Sequence, residues 1–347
     1  MRLVFFVTDI EAEKANYTTY RLAVAAQARG HSVFHISASD FTIQHDETVS
    51  LMASRVPKST YKDSLAYFED LINCPKVETL SLADVDALML RSDPSLAQGA
   101  MAWAQTTGIQ LGRLARRDGV IVLNDPEGLN MALTKMYLQL YPESVRPKTI
   151  ITQSVDDIKA FAKELKGDVI LKPVQGSAGK GVFLLPRNDF ANLNQIVKSL
   201  SKDGYIIAQE YLKEAAIGDT RLFLMNGEPL KYKGKYAAFR RIRKSDDVRS
   251  NVHVGGTIAK ADVTDEMLMI ADALRPRLIM DGMFLVGLDL IGNKVIEINV
   301  FCPGGLKNAQ KLEGVDFTRA VVEAIEAKVR ATSYYKSPWH KIQPATL

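Results

Sequence analysis

Short apolar runs, spaced by segments of helical period, organise the first third of the chain. Leu3 to Thr8 reads as a strand, Tyr17 to Arg29 as a helix closed by Gly30, and Ser32 to Ile36 as a second strand. Beyond a polar stretch, Val85 to Leu90 and Val120 to Leu123 read as further strands, separated by a long helical pattern from Leu96 to Arg117. Alternation of this kind predicts a parallel sheet with helices on both faces, whose ligands bind beyond the carboxyl ends of the strands. Two polar segments leave those ends, Arg91-Ser92-Asp93-Pro94 and Asn124-Asp125-Pro126. Asp-Pro is also turn chemistry, so a binding reading and a turn reading stand side by side for each.

A boundary between Asn124 and Pro147 opens a different pattern. A helix from Leu129 to Tyr141 carries Lys135, and a strand from Lys148 to Ile151 leads to a helix opened by a capping box, Ser154 with Asp157. Lys172 sits inside a strand of Val, Ile and Leu, where an ammonium requires an anion or a route to water. The loop Gln175-Gly176-Ser177-Ala178-Gly179-Lys180-Gly181 follows at once. Its glycines let backbone N–H groups approach phosphate oxygens, and equally they make a flexible hairpin turn. The loop is not a Walker motif, because Lys180 precedes Gly181 and the chain runs on into a strand. Strand Tyr205 to Ala208 then enters Gln209-Glu210-Tyr211-Leu212, and Gly218-Asp219-Thr220-Arg221 leads a strand to an Asn226-Gly227 hairpin turn. Arg240, Arg241, Arg243, Lys244 and Arg249 make a basic loop that reads as a solvated surface or as a lid collecting anionic charge. A helix from Asp265 to Met280 comes before the last strands, and another from Asp316 to Val329 before a tail, 331–347, of little periodicity.

The segment Phe284 to Gly305 holds two apolar strands, Phe284 to Ile291 and Val295 to Val300, around a Gly292-Asn293 turn. Asp289, Glu297 and Asn299 interrupt them. Side chains alternate faces along a strand, so a strict two-residue turn puts Asp289 and Glu297 on opposite faces. A shared cation therefore requires an odd loop or a bulge in this hairpin. If they converge, three oxygen donors suit Mg²⁺ or Mn²⁺ better than Zn²⁺. Two solvated carboxylates at a sheet edge are the alternative.

Composition narrows this picture mainly by exclusion. The chain has 347 residues, enough for two or three domains, and is 47% apolar and 24% charged. A net charge of +4 is too small to imply nucleic acid but suits anionic small molecules. Cys74 and Cys302 are the only cysteines, which fits a reducing compartment such as the cytoplasm and argues against a disulfide framework. No run reaches the roughly 20 apolar residues of a membrane span, and Met1 to Asp9 reads as a first strand, not a signal peptide. There is no G-x-G-x-x-G after strand one, and the histidines His31, His35, His45, His253 and His340 are too scattered for a triad.

Taken in order, LRSDPSL, LNDPEGL, DVILKPVQGSAGKG, QEYL, GDTRLFLMNGEPL, RSNVHVGGT and FLVGLDLIGNKVIEINV resemble the ATP-grasp superfamily, and most closely bacterial glutathione synthetase, from about Leu3 to Arg330. The resemblance implies a mixed α/β ATP-grasp fold with an N-terminal doubly wound substrate domain (1–124). An ATP-grasp domain (125–330) with a lid-like central part (135–204) would follow. It further implies ATP and Mg²⁺, with Lys135, Lys172 and the Gly176, Ser177, Gly179, Lys180, Gly181 loop around the phosphates and Gln209 among the nucleotide-binding residues. Glu210, Tyr211 and Leu212 would lie at the adenine, Asp219 near the ribose, and Asp289, Glu297 and Asn299 on the metal. Arg221, Arg249 and Asn251, with Gly255 and Gly256, match positions that meet an acyl phosphate and its acceptor. Arg91, Asp93, Pro303, Gly304 and Gly305 match substrate positions, the last two offering backbone N–H groups to a carboxylate. The implied activity is an ATP-dependent carboxylate-amine ligase joining γ-glutamylcysteine to glycine, assembled as a dimer or tetramer. Departures at Phe301-Cys302-Pro303-Gly304-Gly305, at Arg91 to Ser95 and in the basic loop leave open a different acid and amine.

Overall fold

The computed structural model describes residues 1–176, 179–242 and 257–334. The chain begins β1 (Arg2–Phe6), α1 (Thr18–Ala28), β2 (Ser32–Ile36), β3 (Phe41–Ile43), β4 (Val49–Arg55), α2 (Ser64–Asn73), β5 (Lys76–Ser81), β6 (Ala87–Leu90), α3 (Thr107–Arg117) and β7 (Ile121–Leu123). Strand β1 lies parallel between β2 and β6, with Leu3 opposite Val33 and Ala87, and β7 runs parallel beyond β6. Leu3, Val4, Phe5 and Phe6 are all fully buried, as a strand covered on both faces requires.

The polar stretch after β2 is not a loop. Strand β4 pairs antiparallel with β2, β3 and β5, so the expected parallel sheet is a mixed one. Val49, Leu51 and Ala53 are buried while Met52 is exposed, the two-residue period of a half-covered strand. The helical pattern from Leu96 to Arg117 is also corrected. It breaks into 3₁₀ helices at Pro94–Leu96 and Gly99–Gln105, with Gly99 at φ +58°, before α3 begins.

Next come α4 (Pro126–Met131), β8 (Thr149–Thr152), α5 (Val155–Leu165), β9 (Val169–Pro173), β10 (Phe183–Leu185), α6 (Leu193–Leu200) and β11 (Ile206–Glu210). The four strands form an antiparallel sheet in the order β10-β9-β11-β8, with a core of its own that includes Ile158, Phe161, Leu171 and Ile206. Ser154 accepts from the Asp157 N–H at the start of α5, as the capping pattern predicts. The helix expected from Leu129 to Tyr141 stops at Met131, and Lys135 opens a separate 3₁₀ helix, Lys135–Leu140. The Lys135 N–H is tied instead to the Val174 carbonyl at 2.8 Å, so tertiary bonding overrides helical period here.

The remainder is β12 (Asp219–Met225), β13 (Glu228–Pro229), β14 (Lys231–Tyr232), β15 (Lys235–Tyr236), β16 (Ala238–Ile242), β17 (Thr257–Ala259), α7 (Asp265–Met280), β18 (Leu285–Ile291), β19 (Lys294–Asn299), α8 (Leu306–Glu313) and α9 (Phe317–Ser333). Its main sheet runs β17-β16-β12-β18-β19. One apolar core joins Phe6, Leu88 and Leu90 of the first sheet to Leu222, Val286 and Leu288 of this one. A second joins Leu22 and Ala26 of α1 to Phe317, Val321 and Ile325 of α9.

Asn124 clips these parts together. Its amide donates to the carbonyls of Leu285 (3.2 Å) and Val300 (2.6 Å), and its oxygen accepts from the N–H groups of Phe284 (2.8 Å) and Leu285 (2.9 Å). Asp125 caps α4 at the Glu127 N–H and pairs with Arg116 at 2.9 Å. The second polar segment is thus structural.

Candidate active site

The site grows from the β18–β19 hairpin. Ile291 pairs with Lys294 and Leu290 with Val295 around the two-residue turn, and then the register shifts so that Asp289 lies opposite Glu297. Ile296 is the extra residue of that bulge. The hairpin thus contains the irregularity that its sequence requires if both carboxylates are to share a face. Asn299, two residues beyond Glu297, is on the same face, with its Nδ2 3.4 Å from Asp289 Oδ2.

Cations close around these oxygens. Arg221 of β12, directly across from Asp289 in the ladder, donates through Nε and, at 2.8 Å, through Nη2 to the Asp289 carboxylate. Arg241 of β16 reaches the same carboxylate at 2.8 Å and also holds Asp219. Lys135 pairs with Glu297. Burial by itself would raise the pKa of Asp289, but Arg221 and Arg241 outweigh it and hold the carboxyl well below the usual range. Glu297 is likewise lowered, its burial outweighed by Lys135 and Lys172, while Asp289 opposes them. Lys172 is pushed down to about 8, first by burial and then by the charge of Lys135. It donates to Gln209 Oε1 at 3.0 Å and to the Ile296 carbonyl at 3.4 Å.

Two adjoining cavities meet at these residues. One, of about 150 Å³, is a slot between the middle and last sheets, walled by Ile170, Val182 and Ile296 and edged by Gln209, Glu210, Tyr211 and Leu212. Gly176, Gly179 and Lys180 line it from the hairpin between β9 and β10. A slot with apolar walls of this kind suits a heteroaromatic base, and Lys135, Lys172 and Lys180 line it as well. The other cavity, of about 180 Å³, extends from Lys135, Lys172, Arg221, Arg241 and Glu297 past Phe301 and Cys302 to Asp93 and Ser95 of the first domain.

The family follows from comparison. Residues 1–130 match the model of the N-terminal domain of prokaryotic glutathione synthetase, and residues 134–314 match that of its ATP-grasp domain. The glutathione synthetase of Synechococcus elongatus is 32% identical over 334 residues, covering 95% of this chain and 99% of the relative. That of Gloeobacter violaceus is 32% identical, covering 93% of this chain and 96% of the relative. The crystal structure of a D-cycloserine synthetase superposes with a TM-score of 0.61 at 15% identity, over 93% of this chain and 99% of that one, a likeness of fold. The chain belongs to the prokaryotic glutathione synthetase family. It is an ATP-grasp enzyme of the amide-forming ligase type.

Lys135, Lys172, Gly176, Gly179, Lys180, Gln209, Arg221, Asp289, Glu297 and Asn299 all line or adjoin the two cavities. Gly181 lies in the same hairpin, its Cβ position packed against Pro173. Asp219, the residue expected near the ribose, is buried, and its carboxylate accepts from Arg241 Nε at 2.9–3.0 Å. Arg240 and Arg241 belong to strand β16, not to a loop, and Arg241 is a site residue that the reading missed. The signal was its place directly opposite Asp219 once β12 and β16 pair. Pro303 and Gly304 present carbonyls, to Arg91 at 3.5 Å and Arg221 at 3.2 Å, while Gly305 starts α8 at φ +91° against the Phe239 ring. Ser177, Arg243, Lys244, Arg249, Asn251, Gly255 and Gly256 lie outside the described residues.

The donor set fits a hard cation. Asp289, Glu297 and Asn299 offer oxygen alone, and among the described residues no cluster of three or more Asp, Glu, His or Cys could hold a metal without other ligands. An ion that takes its remaining positions from phosphate and water, as Mg²⁺ does, is the one such a set accommodates.

Proposed function

We propose that the chain condenses γ-glutamylcysteine with glycine, converting ATP to ADP and phosphate, with a divalent cation held by Asp289, Glu297 and Asn299. The observation that carries this is Asp289 opposite Glu297, ringed by Lys135, Lys172, Arg221 and Arg241 at the junction of two cavities. A carboxylate is a poor electrophile. Its oxygen attacks the γ-phosphorus of ATP, ADP leaves, and the resulting acyl phosphate is attacked at carbon by the amine, expelling phosphate. The first step brings two anions together, and Lys135, Lys172 and the two arginines offset their repulsion. When bound, Mg²⁺ supplies neutralising charge at the phosphates. The β9–β10 hairpin, closing over the slot, excludes water that would hydrolyse the acyl phosphate.

This reading divides the chain into a substrate domain (1–124), an ATP-grasp domain (125–330) with its lid (135–204), and a tail (331–347). It also carries a dimer or tetramer in the cytoplasm, on family likeness. Among the described residues no helix is long and apolar enough to cross a membrane. A second reading, the same chemistry on a different acid and amine, is favoured by one feature. Phe301 and Cys302 line the substrate cavity directly after the carboxylate strand. ADP release with γ-glutamylcysteine and glycine, against a panel of other acids with hydroxylamine, decides between them. ADP from the named pair supports the first reading; ADP only with other acids replaces it by the second.

A further inference from the structure

Lys135 lines both cavities, yet it stands on a weak element. It opens a 3₁₀ helix of six residues, Lys135–Leu140. A helix so short, with the poorer hydrogen bonds of the 3₁₀ form, does not fix its own direction. That direction comes from what the rest of the chain holds it to.

The hold is a row of buried polar groups. The hydroxyl of Tyr137, two residues along from Lys135, donates to Asp281 Oδ2 at 2.7 Å and accepts from the Tyr141 hydroxyl at 2.8 Å. Tyr137, Tyr141 and Asp281 are all buried. The Asp281 carboxylate is fixed in turn by Arg277 Nε at 2.7 Å, from the last turn of α7. Asp281 is itself seated against α4, since a Cβ on Gly128 would lie 1.9 Å from its carbonyl oxygen. At the far end of the 3₁₀ helix, Arg146 donates to the Tyr141 carbonyl at 3.0 Å and to Gln139 Oε1 at 2.7 Å.

Burial alone does not call for these hydroxyls. The two rings meet edge to face with centroids 5.3 Å apart, and phenylalanines would fill the same space. Apolar contact has no direction, whereas a hydrogen bond does, so the hydroxyls set the rotation of the helix rather than its bulk. Rotation matters at Lys135. Its ammonium reaches Glu297 of β19 while its N–H is held by the Val174 carbonyl just after β9, so turning the helix would shift the charge relative to both sheets.

We infer that Tyr137, bonded to Asp281, is a positioning residue for Lys135, setting the 3₁₀ helix so that the ammonium meets the phosphates of the nucleotide. This rests on the reading of Lys135 as a phosphate contact and adds where its aim comes from. A misplacement of that charge would weaken the contact without disturbing the apolar core.

A double-mutant cycle tests this by calorimetry, with ADP and Mg²⁺ as the probe, so that neither the acid nor the amine takes part. Tyr137→Phe is expected to weaken ADP binding roughly three- to tenfold in the wild-type background, and by less than about twofold in Lys135→Met, where there is no ammonium left to aim. Melting curves check that each protein is folded. Tyr141→Phe, which removes only the hydroxyl that donates to Tyr137, goes through the same cycle as a milder variant should Tyr137→Phe not fold. Equal losses in both backgrounds, or no loss in the wild type, overturn the inference and leave Tyr137 as a packing residue. Lys135→Met that binds ADP as tightly as the wild type removes Lys135 from the phosphates, and the positioning role with it. Coupling without turnover of γ-glutamylcysteine and glycine keeps the positioning role and removes the proposed reaction.

Discussion

Glu297 faces Asp289 only because Ile296 bulges out of β19. Glutamine at 297 keeps the shape and the bulge but removes the charge that pairs with Lys135 and that the proposed cation would use. We therefore expect Glu297→Gln to cut turnover on the order of a hundredfold or more. Its melting temperature should move by only a few degrees, because Glu297 is at the cavity wall and not in the apolar core. ADP release at saturating Mg²⁺ and a thermal melt measure the two. Turnover within a few-fold of the wild type would remove Glu297 from the metal.

The same carboxylates already have cations of their own. Arg221 and Arg241 hold Asp289, and Lys135 holds Glu297, so a divalent ion arriving alone meets oxygens that are neutralised. A triphosphate changes this by offering those cations other oxygens. Mn²⁺, followed by its electron spin resonance signal, should bind weakly to the protein alone and tighten by roughly tenfold or more when ADP is present. A tight Mn²⁺ site without nucleotide contradicts the displacement argument.

How far the sequence reveals this site depends on whether the information is local. The bulge is legible because period two makes Asp289 and Glu297 incompatible with a plain Gly292-Asn293 turn. The Asn226-Gly227 turn and the Ser154 cap are equally local: Met225 pairs with Glu228, and Asp157 meets Ser154. Arg241 is not legible, since only the pairing of β12 with β16 puts it beside Asp219 and Asp289, and along the chain it is one arginine of a basic run. Lys135 is half legible: its chemistry stands out, but its helix is broken by a bond to Val174 from a distant segment. The β4 addition is not legible along the chain, because its buried residues, Val49, Leu51 and Ala53, are diluted by polar neighbours.

Asn124, just after β7, satisfies four backbone groups, two on Leu285 of β18 and one each on Phe284 before it and Val300 after β19. Alanine leaves those buried groups without partners at the seam between the first and last sheets. Asn124→Ala should lower stability by about 2–4 kcal/mol in urea unfolding. Activity per folded molecule should fall as well, since the same strands carry Asp289 and Glu297. A loss below about 0.5 kcal/mol, the ordinary range of surface substitutions, would mean that water replaces the clip.

His35 makes the first domain sensitive to acid. It is fully buried between Phe5 and Tyr20, with ring centroids 5.4 Å from each, and Nε2 meets the Tyr67 hydroxyl at 2.9 Å. Nδ1 has no hydrogen-bond partner among the described residues, and burial pushes the ring's pKa from 6.5 down to about 3. The folded protein therefore keeps His35 neutral while the unfolded chain takes up a proton below about 6.5. Because the unfolded state binds more protons, stability falls as the pH drops from 6.5 toward 3, and is regained as the pH rises. This one residue contributes up to about 1.4 kcal/mol per pH unit inside that window. His35→Phe removes the titrating group; it costs some stability at pH 7 by leaving the Tyr67 hydroxyl unbonded, but it flattens the dependence. Urea unfolding of both proteins between pH 4 and 7 measures the difference. The two stability curves should converge as the pH falls, and curves that stay parallel across the window would show that His35 does not set the acid limb.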